Sequence, residues 1–192
     1  RILSSAASDV YKRQVKEGFE ADDIIGTIAK KVKSENFETY MVTPDKDFAQ
    51  LVDESIYMYR PVFGGGYEIW GVNEVLEKFE ISQISQVIDF LAMKGDSVDN
   101  IPGLPGVGDK TAKKFLKEFG SLEGLLQNTT ELKGKLKEKI EQNKELGILS
   151  KKLATIITDV PIDYNIEELK LNVTNLDKAC LLYTSPSPRD SC

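Results

Sequence analysis

Residues 95–112 form the segment that most constrains how this chain can fold. They read Gly-Asp-Ser-Val-Asp-Asn-Ile-Pro-Gly-Leu-Pro-Gly-Val-Gly-Asp-Lys-Thr-Ala. Glycines and prolines at this density interrupt any helix or strand, so the segment predicts a tight hairpin that opens a helix. Its first part carries Asp96 and Asp99, whose carboxylates can hold a divalent cation, and its second part has glycines whose backbone N–H groups can approach an anion closely.

Both ends of the chain carry sequence that we interpret as translated sequencing adapter. Asp9 to Gln14 can be encoded by DNA whose reverse complement encodes Cys180 to Thr184. Two natural protein ends have no reason to be related in this way. We therefore predict that 1–14 and 180–192 are read-through, and that Val15 to Ala179 is a fragment of a longer protein, open at both ends.

The remaining segment must perform any chemistry without histidine or cysteine. The chain has no histidine, and its two cysteines, Cys180 and Cys192, lie in the predicted read-through. Disulfides and thiolate metal sites are thereby excluded, and oxygen ligands favour Mg²⁺ or Mn²⁺ over zinc. The net charge of −6 is unusual for a DNA-binding chain, unless bound cations neutralise clustered carboxylates and lysines are segregated elsewhere.

Hydrophobic periodicity predicts an α/β core followed by a helical module. In the first half we expect helices at 21–34, 47–52, 73–79 and 85–94, and strands at 37–43, 55–60 and 67–70. From residue 101 onward only helices are expected, at 111–119, 121–127 and largely through 131–157. This organisation places the α/β core at 15–100, the helical module at 101–160 and a connector at 161–179. No apolar run is long enough to span a bilayer.

Three acidic clusters lie at predicted element boundaries. Each cluster alone is explained more simply by helix capping or by a solvated turn. Loops at one edge of an α/β sheet converge on a single crevice, however, so the clusters together predict a site for two divalent ions about 3.5–4 Å apart, which could activate water at a phosphodiester. The carboxylates are Glu20, Asp22 and Asp23 before a helix, Asp45 and Asp47 after a strand, and Asp96 and Asp99 after a helix.

The hairpin at 103–108 precedes a helix with a lysine face formed by Lys110, Lys113, Lys114 and Lys117. Its glycines and the following helix N-terminus favour contact with phosphate. The pattern resembles a helix-hairpin-helix motif, which binds the DNA backbone without regard to sequence. The alternative is a tight loop between packed helices with a solvated lysine face.

The three motifs, taken in order, resemble the 5′ nuclease domain of bacterial DNA polymerase I, within the flap endonuclease superfamily. They are Glu20-Ala-Asp-Asp23, Thr43-Pro-Asp-Lys-Asp-Phe48 and Gly95-Asp-Ser-Val-Asp-Asn-Ile-Pro-Gly103, and the similarity covers Val15 to Asn172. The resemblance implies a PIN/flap-endonuclease-like α/β sheet with covering helices, present in part, followed by an all-helical helix-hairpin-helix module. It also implies Mg²⁺-dependent hydrolysis of DNA near 5′ flaps and nicks, with a 5′-phosphate and a 3′-hydroxyl as products.

The resemblance further implies residue roles. Glu20, Asp22 and Asp23 would serve the first metal ion, with Asp22 able to lie between both ions, and the remaining aspartates would serve the second: Asp45, Asp47, Asp96 and Asp99. The six aspartates are thereby the implied catalytic residues. The hairpin is implied to hold a monovalent cation such as K⁺, and contacts with the duplex are implied for Gly103, Gly106, Val107, Gly108, Lys110, Thr111, Lys113, Lys114 and Lys117.

In this family a first strand with its own metal-binding aspartate, and a helical arch, precede the acidic cluster. Here the predicted read-through takes their place, so we expect the chain as written to be inactive or nearly so. We expect the parent to be a bacterial, cytoplasmic, nucleoid-associated protein of DNA replication and repair, with DNA as its partner and a polymerase part beyond Ala179. We also expect a monomer without membrane contact.

Other interpretations stay open. The parent could be a stand-alone flap endonuclease rather than a polymerase. The hairpin could serve a non-catalytic DNA-binding module in which the carboxylates are structural. A Mg²⁺-dependent phosphatase on an α/β sheet would explain the aspartates, but it leaves the hairpin and its lysines unexplained.

Overall fold

The computed structural model describes residues 16–62, 64–165 and 167. The predicted read-through at both ends lies outside the described residues, as does most of the predicted connector. Residues 20–160 form one compact unit. The second unit, 1–19 with 161–192, lies mostly outside the described part of the chain.

A small mixed sheet forms the first part of the compact unit. Strand β1 (Thr39–Val42) runs parallel to β2 (Ile56–Pro61), which pairs antiparallel with β3 (Tyr67–Trp70). Met41 lies opposite Met58, and Met58 lies opposite Trp70, so their side chains share the face that is buried. A 3₁₀ helix, Lys46–Leu51, connects β1 to β2 and packs against that core.

Helices make up the rest of the described fold. Before the sheet lies α1 (Ala21–Lys33), which begins with a capping box and ends with lysines, an arrangement favoured by the helix dipole. After the sheet the chain forms α2 (Val72–Phe79), α3 (Gln86–Lys94), α4 (Asp109–Phe119), α5 (Leu122–Gln127), a 3₁₀ turn (Thr129–Glu131), α6 (Gly134–Gln142) and α7 (Lys144–Ala154).

Helix α3 is the centre of the packing. Its Phe90, Leu91 and Met93 side chains are buried, because α3 contacts the 3₁₀ helix on the sheet side and α4, α5 and α7 on the helical side. The same helix therefore joins the α/β part to the helical part. Its last turn leads directly into the segment that carries Asp96.

The predicted order of an α/β sheet followed by a helical module is confirmed, with one error in the second half. We expected a largely helical run through 131–157, but α7 ends at Ala154 and 155–160 are not helical. The N–H of Ile156 donates to Gln50 Oε1 at 2.9 Å, and the N–H of Ile157 donates to Asp23 Oδ1 at 2.8 Å. These side chains satisfy the backbone in an extended path along α1, a long-range effect that periodicity does not encode.

No helix in the described part of the chain is both long enough and apolar enough to cross a membrane.

The contacts of Asp53 predict that the stability of the fold depends on pH. Its carboxylate accepts from the N–H of Ser55 at 2.9 Å and forms ion pairs with Lys30 at 3.1 Å and Lys33 at 2.9 Å. Burial opposes ionisation, but the Ser55 N–H and the two ammonium groups hold the pKa of Asp53 below its usual range. A carboxyl with a lowered folded-state pKa stabilises the fold above its unfolded pKa of about 3.9, and that stabilisation is lost as the pH falls.

Asp53→Asn is therefore expected to lower the free energy of unfolding by about 1–2 kcal/mol at neutral pH, measured by urea denaturation. The difference from the wild type should shrink as the pH falls from about 5 to about 3. Glu54→Gln, at the exposed neighbouring position, is the control and should show little effect. A difference for Asp53→Asn that stays constant across this pH range would contradict the ion-pair explanation.

Candidate metal centre and nucleic-acid interface

The first acidic motif is held by the start of α1. Glu20 is the N-cap residue, and its backbone N–H donates to Asp23 Oδ2 at 3.2 Å, which with the reciprocal contact completes a capping box. Asp23 Oδ1 also accepts from the N–H of Ile157. The simple explanation of these residues as helix caps is thus correct for Glu20 and Asp23, although capping does not prevent a carboxylate from also facing a cation.

Asp22 differs from its two neighbours. Among the described residues, none donates a hydrogen bond to its carboxylate. Burial raises the pKa of Asp22 above its usual value, and the carboxylates of Asp45, Glu20, Asp23 and Asp99 raise it further. Asp22 therefore lies where all three acidic motifs contribute negative potential.

The second motif follows β1 and starts the 3₁₀ helix. Asp45 is exposed and caps this helix by accepting from the N–H of Asp47 at 2.9 Å. Asp47 is buried, and its Oδ1 has no hydrogen-bond partner. Burial and then the charge of Asp45 raise the pKa of Asp47 to about 6, despite the nearby ammonium of Lys46.

The third motif is a closed loop after α3. The backbone of Asp96 pairs with that of Ile101 in both directions, at 2.9 and 2.8 Å. Asp96 Oδ1 accepts from the N–H of Val98 at 2.9 Å, while Oδ2 accepts from Lys46 Nζ at 2.6 Å. The Lys46 ammonium and then the Val98 N–H lower the pKa of Asp96. Asp99 is exposed on this loop and contributes to the potential at Asp22 and Asp47.

The fold therefore brings the three motifs within electrostatic range of one another, as the sheet argument predicts. Within the described residues, however, no three acidic side chains are close enough together to form a ready-made metal-binding group. The donor set still fits a hard divalent cation such as Mg²⁺, because it consists of carboxylate oxygens and includes the buried, unpartnered Oδ1 of Asp47. The assignment of individual residues to two metal ions stays a prediction.

The hairpin between α3 and α4 is built by close backbone packing. Gly95 and Gly103 both have positive φ angles, of 76° and 67°. A Cβ on Gly103 would lie 2.6 Å from the Gly95 nitrogen. The N–H of Leu104 donates to the carbonyl of Met93, and the side chains of Leu104 and Val107 are buried in the core. Core packing thus fixes the loop from one side and leaves Gly106 and Gly108 exposed on the other.

Helix α4 presents the predicted lysine face beside this hairpin, and Thr111 lies half-buried in its first turn. Ala112, Phe115 and Leu116 form its buried face. The lysines are not equally available, because Glu80 forms ion pairs with Lys113 at 3.0 Å and Lys117 at 3.1 Å. Lys114 pairs with Glu118 at 3.6 Å. Lys110 is exposed and makes no ion pair within the described part of the chain.

Three residues that organise the site were missed by sequence reasoning. Lys46 contacts Asp96 across the motifs, and its position between two aspartates was the available signal. The Nε2 group of Gln50 donates to the carbonyls of Asp47 and Ala154, which ties the 3₁₀ helix to the end of α7. Ser150 Oγ is buried and accepts from the N–H of Gly103 at 3.0 Å. Neither Gln50 nor Ser150 has a local sequence signal, because their partners are remote in the chain.

Solved structures define the class of fold. The chain aligns with a phage T5 5′-exonuclease whose structure contains zinc, with a TM-score of 0.71 and 22% identity over 79% of this chain and 55% of that chain. A T5 flap endonuclease complex with DNA and metal ions gives a TM-score of 0.70 at 21% identity, over 80% of this chain and 56% of that chain. The fold is therefore that of the 5′-exonucleases and flap endonucleases.

Family comparisons make this assignment specific. The N-terminal resolvase-like domain of 5′-3′ exonucleases matches residues 5–80, and the C-terminal SAM fold of 5′-3′ exonucleases matches residues 82–177. The chain belongs to the 5′-3′ exonuclease family, whose members are hydrolases. The first match begins inside the stretch interpreted above as read-through, and that interpretation stays a prediction.

The curated relatives include both DNA polymerase I and a protein named 5′-3′ exonuclease. DNA polymerase I of Bacillus subtilis is 41% identical over 179 residues, which cover 91% of this chain and 20% of that protein. A 5′-3′ exonuclease of Aquifex aeolicus is 36% identical over 161 residues, covering 84% of this chain and 53% of that protein. The chain thus spans about a fifth of the polymerases it matches and about half of this exonuclease.

Proposed function

We propose that this chain is the nuclease portion of a longer bacterial protein that hydrolyses DNA phosphodiesters near 5′ flaps and nicks with the aid of divalent metal ions. The observation that carries the proposal is that carboxylates of all three acidic motifs act on the carboxylate of Asp22, while Asp47 of the second motif has a buried Oδ1 without a hydrogen-bond partner. The adjoining hairpin supports it, since Asp96 and the hairpin glycine Gly103 belong to one closed loop. The relatives named DNA polymerase I and 5′-3′ exonuclease support it independently.

In this proposal the carboxylates hold two Mg²⁺ or Mn²⁺ ions. Glu20, Asp22 and Asp23 serve the first ion, and the second and third motifs serve the other. Bound divalent ions supply water activation and stabilise negative charge on the leaving oxygen. The side chains fix the positions of the ligands: Asp45 is oriented by the Asp47 N–H, and Asp96 is oriented by the Val98 N–H.

The hairpin and α4 would bind the duplex backbone next to this centre. Exposed Gly106 and Gly108 leave the loop open to phosphate groups, and the lysines of α4 add positive charge. In the same proposal the hairpin holds K⁺, and a polymerase portion follows in the parent chain. We also propose that the parent protein is a monomer that acts on DNA in the bacterial cytoplasm, at the nucleoid.

Lys110→Ala tests the proposed duplex contact. Lys110 is exposed and unpaired among the described residues, so its replacement removes one phosphate contact without breaking an ion pair. We expect the affinity for DNA of any sequence to fall a few-fold. The negative slope of log K against log salt concentration should become shallower by about 0.9. Lys117→Ala is a matched control with a smaller expected effect, because Glu80 already neutralises Lys117. Equal salt slopes for the wild type and Lys110→Ala would contradict the contact.

The test of the proposed function uses the parent protein, by which we mean the full-length gene product that contains Val15 to Ala179. An end-labelled 5′-flap duplex is incubated with this protein in Mg²⁺, Mn²⁺ or EDTA. We expect cleavage near the flap junction only with a divalent ion. The 192-residue chain tested beside it is expected to be inactive or nearly so.

Two other outcomes are informative. Binding of the flap without cutting in any divalent metal would favour the non-catalytic helix-hairpin-helix module. Hydrolysis of a small phosphomonoester without cleavage of DNA would favour the phosphatase. Either outcome would refute the nuclease proposal.

A further inference from the structure

Lys46 is a basic side chain that joins two of the acidic motifs. It lies between Asp45 and Asp47 in sequence, yet its ammonium contacts the third motif: Nζ lies 2.6 Å from Asp96 Oδ2. The Asp96 side chain is only 13% exposed. The ion pair therefore joins two motifs that are 50 residues apart in the chain.

This contact determines what Asp96 has available for a cation. Its Oδ1 already accepts from the Val98 N–H, and its Oδ2 accepts from Lys46. Asp47 Oδ1, by contrast, has no partner, and none of the described residues donates to the Asp22 carboxylate. A divalent ion that uses Asp96 Oδ2 must compete with the Lys46 ammonium, because two cations cannot share one oxygen without strong repulsion.

We infer that Lys46 is a built-in counter-cation, which holds Asp96 beside the Asp45–Asp47 motif in the metal-free protein and competes with the divalent ion for Asp96. This positioning role rests on the proposed metal-dependent function. The ion pair therefore has opposite effects on two quantities, the stability of the metal-free fold and the affinity for a divalent ion. Lys46 stabilises the metal-free fold by reducing repulsion among the carboxylates, and it weakens divalent-ion binding by occupying a ligand oxygen.

Lys46→Gln separates these effects, because it removes the charge and keeps a polar side chain of similar length. With Mn²⁺ alone as the probe, we expect isothermal titration calorimetry of the parent protein to show about tenfold tighter binding than in the wild type. The melting temperature in EDTA should fall by about 3 °C, and the rise on adding Mn²⁺ should be larger than in the wild type. Lys46→Arg keeps the charge and should restore the wild-type affinity.

Lys151 provides a matched control. Its Nζ lies 2.6 Å from Asp89 Oδ1, with side-chain exposures of 28% and 6%, but this pair joins α7 to α3 and includes no residue of the acidic motifs. Lys151→Gln should lower the melting temperature without changing Mn²⁺ affinity. Unchanged or weaker Mn²⁺ binding by Lys46→Gln would overturn the counter-cation role. Absence of Mn²⁺ binding by the wild type would instead overturn the proposed function, and the counter-cation role with it.

Discussion

Asp96→Asn in the parent protein is expected to reduce Mg²⁺-dependent cleavage of a 5′-flap duplex by about a thousandfold or more, the size of effect seen when charge stabilisation at a reacting phosphate is lost. Asparagine keeps an oxygen that can accept from the Val98 N–H, so the loop should keep its shape although the ion pair with Lys46 is lost. The substitution removes the negative charge that a divalent ion requires. Single-turnover cleavage with end-labelled DNA measures the effect.

Binding of the same flap is the companion measurement. Removing one carboxylate from an acidic centre reduces its repulsion of a polyanion, so affinity should be retained or improved. Glu54→Gln is the control, because it removes a carboxylate at an exposed position that belongs to none of the three acidic motifs. Cleavage by Asp96→Asn at the wild-type rate would remove Asp96 from the proposed metal centre.

Gly103→Ala is expected to lower the free energy of unfolding by about 3 kcal/mol or more. Gly103 has a φ of 67°, which disfavours any residue with a Cβ. The added Cβ would also lie 2.6 Å from the Gly95 nitrogen and 2.7 Å from the Lys94 carbonyl carbon and oxygen. These are backbone atoms, so none of the three clashes can be relieved by rotating a side chain. Urea denaturation of the 192-residue chain measures the loss.

Gly120→Ala isolates the contribution of backbone conformation. Gly120 has a φ of 77°, close to that of Gly103, but a Cβ there would meet nothing within 4 Å. Its replacement should therefore cost only about 1 kcal/mol. Equal losses for the two variants would show that the close approach of Gly95 and Gly103 does not matter for stability.

The sequence determined the features that arise from neighbours in the chain. Periodicity located the strands and most helices, because a buried face recurs every second or every third to fourth residue. The Gly-Pro segment predicted the hairpin, because few backbone conformations fit it. The acidic motifs at element boundaries predicted that their carboxylates would act on one another, and those of all three motifs raise the pKa of Asp22. Their closest approach was not predicted, since no three acidic side chains of the described residues form a metal-binding group.

Only the tertiary structure decided what depends on remote partners. Helix α7 ends at Ala154, because the side chains of Gln50 and Asp23 accept from backbone N–H groups of the residues that follow. The tertiary structure also engaged Glu20 and Asp23 in capping while leaving Asp47 Oδ1 unpartnered. Lys46 and Asp96 are 50 residues apart, and Gly103 and Ser150 are 47 apart. Which donor reaches which oxygen across such separations depends on how the helices pack. Local propensity carries no information about contacts between residues that are remote in the chain.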